Sequence, residues 1–253
     1  ILMANNHANG FGNSGYYAVC EGVDKQVRSV RMIGNICEGD TGFVATSSGG
    51  AFEVGVFGSV LTQTPSFTIE DNEVVNVSVP YAFVCSNGQT SGFDVRQFKV
   101  HCNTITGSTF QYAVGTNNYT PGIYKSIDIS DNDFIGCTSS SGMALLRYYS
   151  AAKVINNSFV GHTGGLSVSV DNYVTALIER NTQDGVVIGA AQLEKYGNGL
   201  LVETTATYGG SVSNVDILSC DLGVVADNSV VVEVSVTEIR NATTGIVTYT
   251  YNA

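Results

Sequence analysis

The 253-residue sequence has no tryptophan, only three prolines and only 13% charged residues. It also lacks segments dense in lysine, glutamate and alanine, the residues that favour surface helices. Glycine, in contrast, is abundant at 29 residues. This balance favours strands joined by tight turns and argues against a helical domain.

The charge balance and the lack of long apolar runs exclude two classes of partner. Acidic residues outnumber Lys and Arg by 22 to 11, which gives a net charge of −11. No basic cluster is present to neutralise phosphates, so nucleic acid is not an expected partner. No stretch reaches the ~18 apolar residues that span a bilayer, so membrane insertion is not expected. The first residues, Ile1 to Ala4, resemble neither a translation start nor a signal peptide, and we expect the numbering to begin inside a longer polypeptide.

The six cysteines lack metal-ligand spacing, since no Cys-x-x-Cys occurs. Cys37 and Cys220 fall on core or corner positions of the repeat described next, where cysteine behaves as a small buried hydrophobe. We therefore expect free thiols, folding in a reducing compartment, and neither a metal nor another cofactor.

One pattern repeats along the chain. Its clearest copy runs Ile127-x-Ile129-x-x-Asn132-x-Phe134-x-Gly136. Further copies are centred on Asn35, Asn72, Asn103, Asn157 and Asn181, a degraded one on Cys220, and an eighth on Asn241. Self-similarity at a period of tens of residues indicates a solenoid.

The spacing inside each copy identifies the solenoid. Apolar positions alternate in steps of two, as in a strand, and the alternation breaks once, at the asparagine. We expect the chain to turn a corner there, with the asparagine itself in the left-handed conformation and successive asparagines hydrogen-bonded along the axis. The sequence thus predicts an all-β, right-handed parallel β-helix of about eight coils, with residues 1–29 as a lead-in segment and partial coil and 30–253 as the β-helix domain. The alternative, an antiparallel β-sandwich, gives no reason for a two-strand-and-corner unit to repeat in register.

Aligning the copies predicts two rows of residues that point outward. Four positions before the asparagine, the row reads Lys99, Asp128 and Lys153. Opposite charges ~4.8 Å apart predict cross-strand ion pairs worth about a few tenths of a kcal/mol each, which makes Asp128 structural rather than catalytic. Two positions before the asparagine, the row reads Glu70, His101, Ser130, Ile155 and Glu179.

Glu179 has no ion-pair partner in its row and lies across the corner from Asp184. These two carboxylates are the first candidates for a general acid and base, with Glu194 and Glu203 of the 186–214 excursion as further candidates. Glycoside hydrolysis needs two carboxylates about 5 Å apart for retention or about 6.5–9.5 Å apart for inversion. Carboxylates one coil apart match the first of these distances, and carboxylates two coils apart match the second.

Tyrosines on loops are candidates for polar-ligand recognition and replace the missing tryptophan as stacking surfaces. The candidate substrate-binding residues are Tyr119, Arg147, Tyr148, Tyr149, Tyr196 and Tyr208. Two alternatives stay open. The 186–214 excursion can be an extra turn of strands packed on its neighbours, and Tyr112 and Tyr124 can simply cover the hydrophobic stack.

The asparagine-cornered coils of residues 30–250 resemble the pectin-lyase-like β-helix superfamily, and within it the tailspike and receptor-binding proteins of tailed bacteriophages. The resemblance implies a homotrimer on a virion tail, joined to other tail proteins, that binds a bacterial surface polysaccharide and in many members cleaves it as a hydrolase or lyase. Of the plant-cell-wall enzyme motifs, only Asn181-Thr182-Gln183-Asp184 and Gly161-His162-Thr163 come near. No catalytic residue is therefore carried over. The alternative function is a non-catalytic β-helical spike or a bacterial surface adhesin.

Overall fold

A computed structural model confirms the predicted all-β parallel β-helix. It describes residues 1–11, 14–21, 27–39, 49–57, 64–87, 94–118, 124–166, 168–188, 193–196, 201–204 and 235–236. This part of the chain contains strands and no helix, and hence no helix that could cross a membrane. Each coil consists of three strands in turn, so the stacked coils form three parallel sheets.

The first sheet contains the strand that precedes each corner asparagine. Its members are β1 (Leu2–Ala4), β4 (Ser29–Ile33), β7 (Ser66–Glu70), β10 (Gln97–His101), β13 (Ile127–Ser130), the second half of β15 (Thr138–Ile155), the second half of β18 (Val168–Glu179), β22 (Leu201–Thr204) and β23 (Ser235–Val236). The predicted register is confirmed, because Lys99 pairs with Asp128 and Asp128 with Lys153.

The second and third sheets follow the corner. The second contains β2 (His7–Asn9), β5 (Ile36–Glu38), β8 (Glu73–Val75), β11 (Thr104–Thr106), β14 (Asp133–Ile135), β16 (Ser158–Val160), β19 (Asn181–Gln183) and β20 (Val186–Ile188). The third contains β3 (Tyr16–Glu21), β6 (Gly50–Phe57), β9 (Ser78–Asn87), β12 (Thr109–Asn118), the first halves of β15 and β18, β17 (Thr163–Gly164) and β21 (Leu193–Tyr196). Strands β15 and β18 run round a corner and belong to two sheets each.

The corner asparagines form the predicted ladder. From Asn6 to Asn157, each Nδ2 donates to the Oδ1 of the asparagine one coil further on, at 2.9 to 3.0 Å. Each Oδ1 also accepts the backbone N–H of the preceding asparagine, and all except the first are buried. The ladder runs through Asn6, Asn35, Asn72, Asn103, Asn132, Asn157 and Asn181. It begins one coil earlier than the sequence pattern indicated, at Asn6.

The prediction that the asparagine itself is left-handed is wrong. The residue immediately before it has positive φ, at Asn5, Gly34, Asp71, Cys102, Asp131, Asn156 and Arg180. The ladder asparagine must direct its amide inward to two strands and its neighbour, so the outward-facing residue before it takes the backbone turn instead. Because that residue faces solvent, its side-chain type is free to vary along the stack.

The core consists of side chains that stack between coils inside the three sheets. Phe134 and Phe159 lie parallel, with ring centroids 4.6 Å apart and an interplanar angle of 4°. Tyr16 and Phe52 stack in the same way at 4.8 Å. Aromatic rings in register at the coil spacing bury apolar surface and keep neighbouring coils aligned.

The 186–214 segment is not a free excursion in the part that the structure describes. Strand β20 turns back on β19 as an antiparallel hairpin whose two-residue turn is Asp184–Gly185. Strands β21 and β22 then stack on the two halves of β18. This agrees with the alternative of an extra turn of strands. The copies centred on Cys220 and Asn241 lie outside the described residues.

Candidate functional site

The predicted catalytic carboxylates are divided between different parts of the coil. Glu179 ends β18 in the first sheet, and Glu203 in β22 pairs with Leu177, two residues before Glu179. Glu194 pairs with Ser169 in the third sheet, at the opposite end of β18. The register therefore brings Glu203 near Glu179 and separates Glu194 from both.

Asp184 occupies a structural position in the hairpin turn. With φ values of 49° and 79°, Asp184 and Gly185 adopt the left-handed pair that a two-residue hairpin requires. One carboxylate oxygen of Asp184 accepts the backbone N–H of Gly161 at 2.7 Å, and its own N–H donates to the Phe159 carbonyl. These bonds give Asp184 a role in closing the second sheet.

The predicted substrate-binding residues also have different surroundings. Tyr149 is only 1% exposed, so its ring packs in the core and does not offer a stacking surface. Arg147 and Tyr196 occupy one row of the third sheet, separated by Asp171. The backbone N–H of Arg147 donates to Thr116 at 2.6 Å. Tyr148 is a residue of β15, while Tyr119 and Tyr208 lie outside the described residues.

The predicted ion pairs of the Lys99–Asp128–Lys153 row are wrong, although the register is right. Among the described residues, neither lysine reaches a carboxylate within 4.0 Å. One oxygen of Asp128 is buried and has no hydrogen-bond partner. Asp128 is therefore not ion-paired with either lysine of its row.

The second outward row contains a linked network that the sequence did not predict. Glu70 accepts from the Arg31 guanidinium at 2.5 Å through Oε1. Its Oε2 lies 3.5 Å from Nε2 of His101 on the next coil. The side chains of Glu70 and His101 are 15% and 25% exposed, so the network is accessible from the outer side of the first sheet. The alignment of repeats placed Glu70 beside His101 and was the signal for this contact.

Cys102 extends this network to the corner. Its sulfur lies 3.2 Å from Nδ1 of His101, and the residue is exposed with φ of 54°. Partial desolvation raises the pKa of the Cys102 thiol, and the charges of Asp71 and Asp131 raise it further, while Lys99 acts in the opposite direction. The thiol therefore stays protonated at neutral pH beside an imidazole nitrogen.

The other described cysteines behave as the sequence predicted. Cys37, Cys85 and Cys137 are buried free thiols. Burial raises the pKa of Cys37 to about 12, which leaves that thiol unreactive. Cys102 is thus chemically distinct from them, because it is exposed and contacts a base.

Two further polar clusters are closed to solvent. The Nε2 of His162 lies 2.9 Å from the Ser139 hydroxyl, but these residues are only 5% and 2% exposed. Burial lowers the pKa of His162, partly opposed by Gly165 and by the charge of Asp184. We assign this pair to the packing of the corner between the second and third sheets.

Glu53 is the second buried polar cluster. It is 6% exposed, and its two carboxylate oxygens accept from the hydroxyls of Ser14 and Ser86 at 2.7 and 2.8 Å. Both oxygens have partners, as a buried carboxylate requires. The cluster joins three neighbouring coils and serves the fold.

No group of three or more metal-ligating side chains occurs in the described part of the chain.

No family model matches the sequence, and neither a curated protein nor a solved structure matches it. Function therefore has to be inferred from the residues themselves. Among the described residues, Arg31, Glu70 and His101 form an accessible polar network on the outer side of the first sheet, and Lys99 and Asp128 lie beside it.

Proposed function

We propose that this chain is a β-helical receptor-binding domain that recognises a bacterial surface polysaccharide along the outer side of its first sheet. The observation that carries the proposal is the network of linked planar groups formed by Arg31, Glu70 and His101. Guanidinium, carboxylate and imidazole groups donate to and accept from sugar hydroxyls in defined directions.

The geometry of the sheet supports an extended ligand. Successive coils present side chains at a step of ~4.8 Å, and the ladder and core hold that step rigidly. Lys99 and Lys153 add two ammonium groups on either side of Asp128 in the adjacent row. A polymer lying along the axis would meet at least one polar side chain of the two rows at each coil from Arg31 to Lys153, which suits an extended chain of sugars.

Binding is better supported than cleavage. Asp184 already accepts a backbone N–H in a hairpin turn, and Tyr149 is buried. The first sheet recognises its ligand through polar side chains rather than through the aromatic stacking predicted from tyrosine content. We therefore place a spike that binds the glycan without cleaving it ahead of a depolymerase.

The expected result is binding to at least one glycan on an array of purified bacterial capsular and O-antigen polysaccharides. A double variant, Glu70→Gln with His101→Gln, should weaken that binding at least tenfold, which corresponds to about 1.4 kcal/mol. The loss follows because the amides cannot reproduce the charge-assisted bonds of the network. Affinity is measured by biolayer interferometry, and the reaction mixtures are checked for shortened glycan.

The matched control uses the second sheet. His7 and Glu38 form a similar exposed pair, with Nε2 and Oε2 3.1 Å apart. A His7→Gln, Glu38→Gln variant should bind as the wild type does. Absence of binding to every polysaccharide, or equal affinity of the first-sheet variant, contradicts the proposal. Shortened glycan would favour a depolymerase over a pure binder.

We extend the proposal to assembly as a homotrimer on a virion tail, in contact with other tail proteins. The resemblance to tailspikes implies three chains, and the second sheet exposes adjacent apolar side chains, Ile135 at 42% and Val160 at 48%. Light scattering of the 253-residue chain should give about three times 26.6 kDa. The double variant Ile135→Lys, Val160→Lys should be a monomer, because two charges replace the apolar contact surface. A wild-type mass of one chain would contradict this assembly.

A further inference from the structure

We propose that Cys102, His101 and Glu70 form a nucleophilic relay that hydrolyses small carboxylic esters. The proposal is independent of glycan binding and adds an activity to the same sheet. Cys102 is the nucleophile, His101 the general base and acid, and Glu70 the residue that orients the imidazole.

The order of contacts is that of a base-activated nucleophile. The Cys102 sulfur lies 3.2 Å from Nδ1 of His101, and Nε2 of the same ring lies 3.5 Å from Glu70 Oε2. The other Glu70 oxygen is held by Arg31. The Glu70 carboxylate on one side of the ring favours hydrogen on Nε2, which leaves Nδ1 free to accept the thiol proton.

The backbone presents this thiol outward. Cys102 occupies the left-handed corner position, with φ of 54°, and its N–H is bonded to the Ser130 carbonyl of the next coil. His101 is the last residue of β10, so both groups are attached to a strand paired on both sides. The relay is therefore held by sheet pairing, as a preorganised site requires.

The charges around Cys102 make a general base necessary for attack, and they include one cation. Because partial desolvation and then the charges of Asp71 and Asp131 raise the pKa of the Cys102 thiol, attack by its sulfur needs proton transfer to a base. Lys99, on the same strand as His101, favours negative charge at this position. Its ammonium is suited to stabilise the oxyanion that forms when an ester carbonyl is attacked.

The proposed reaction is ester hydrolysis in two steps, with water as the second reactant. The sulfur attacks the carbonyl carbon while Nδ1 accepts the thiol proton. The C–O bond then breaks, His101 returns the proton to the leaving oxygen, and an alcohol and a thioester on Cys102 result. Water, deprotonated by His101, attacks the thioester, and the carboxylic acid leaves with the thiol restored. The exposed position of Cys102 suits short acyl groups such as acetyl.

The test uses the full chain with p-nitrophenyl acetate as the probe. We expect an initial release of about one nitrophenolate per chain, continued turnover, and an acetyl adduct located on Cys102 by peptide mass spectrometry. Cys102→Ser and His101→Gln should each slow acylation about 100-fold or more. His7→Gln, which removes the imidazole of the His7–Glu38 pair on the second sheet, should leave the rate unchanged.

Glu70 is a positioning residue, and its test needs a separate readout. Glu70→Gln should slow acylation, because the neutral amide attracts the developing imidazolium less, whereas Glu70→Asp, which keeps the negative charge, should recover much of the rate. Glu73→Gln, which removes an exposed carboxylate on the next strand, should leave the acylation rate unchanged. No adduct on Cys102, a single release without turnover, or wild-type acylation by His101→Gln overturns the relay. Cys102→Ser should leave glycan binding unchanged, so failure of either proposal is seen separately.

Discussion

Asn132→Ala should lower the free energy of unfolding by about 3–5 kcal/mol. The Asn132 amide donates to the carbonyls of Val100 and Ser130 and to the next ladder asparagine, and its oxygen accepts twice from Asn103. Truncation leaves several of these groups buried without a partner, and each orphaned group carries the full cost of its desolvation. Urea unfolding followed by circular dichroism measures the change.

The control is the same substitution at the end of the ladder. Asn6 is exposed, and its amide donates to Ala4 and Asn35 only. Water replaces these bonds on truncation, so Asn6→Ala should cost about 1 kcal/mol or less. Equal losses at Asn6 and Asn132 would show that the ladder is not a source of stability.

Gly164→Ala should destabilise the chain by about 3–5 kcal/mol, or prevent folding altogether. A Cβ at this position would stand 1.8 Å from the Ser139 carbonyl oxygen, which is backbone and cannot turn aside. The φ of +100° adds strain for any residue with a side chain. The fraction of soluble protein and the midpoint of urea unfolding report the effect.

The Gly136→Ala variant separates the cost of the steric clash from the cost of backbone strain. Gly136 has φ of +60°, but a Cβ there meets nothing within 4 Å. Only the left-handed penalty of roughly 1–2 kcal/mol applies. If both alanine variants unfold at the same urea concentration, close packing of coils at Gly164 is not the reason for its glycine.

The repeat made much of the fold predictable. Strand spacing and the asparagine at each break gave the parallel coils, the ladder and the outward rows, because these features recur in register. The Asp184–Gly185 hairpin was also readable, since Asp-Gly between β-forming residues is a strong hairpin signal. The repeat does not indicate this hairpin, because β20 reverses direction and pairs antiparallel with β19, whereas the repeated coils are parallel.

The sequence by itself determined the architecture of this protein, since each coil buries its apolar positions only against coils of the same pattern. The tertiary structure alone decided which side chains meet. It left Asp128 without an ion pair to either lysine of its row, placed Tyr149 in the core, and joined Arg31 and Glu70 to His101 and Cys102. Register fixes where a Cα lies, whereas contacts between outward side chains depend on rotamers, desolvation and corner geometry, which alignment of repeats does not contain.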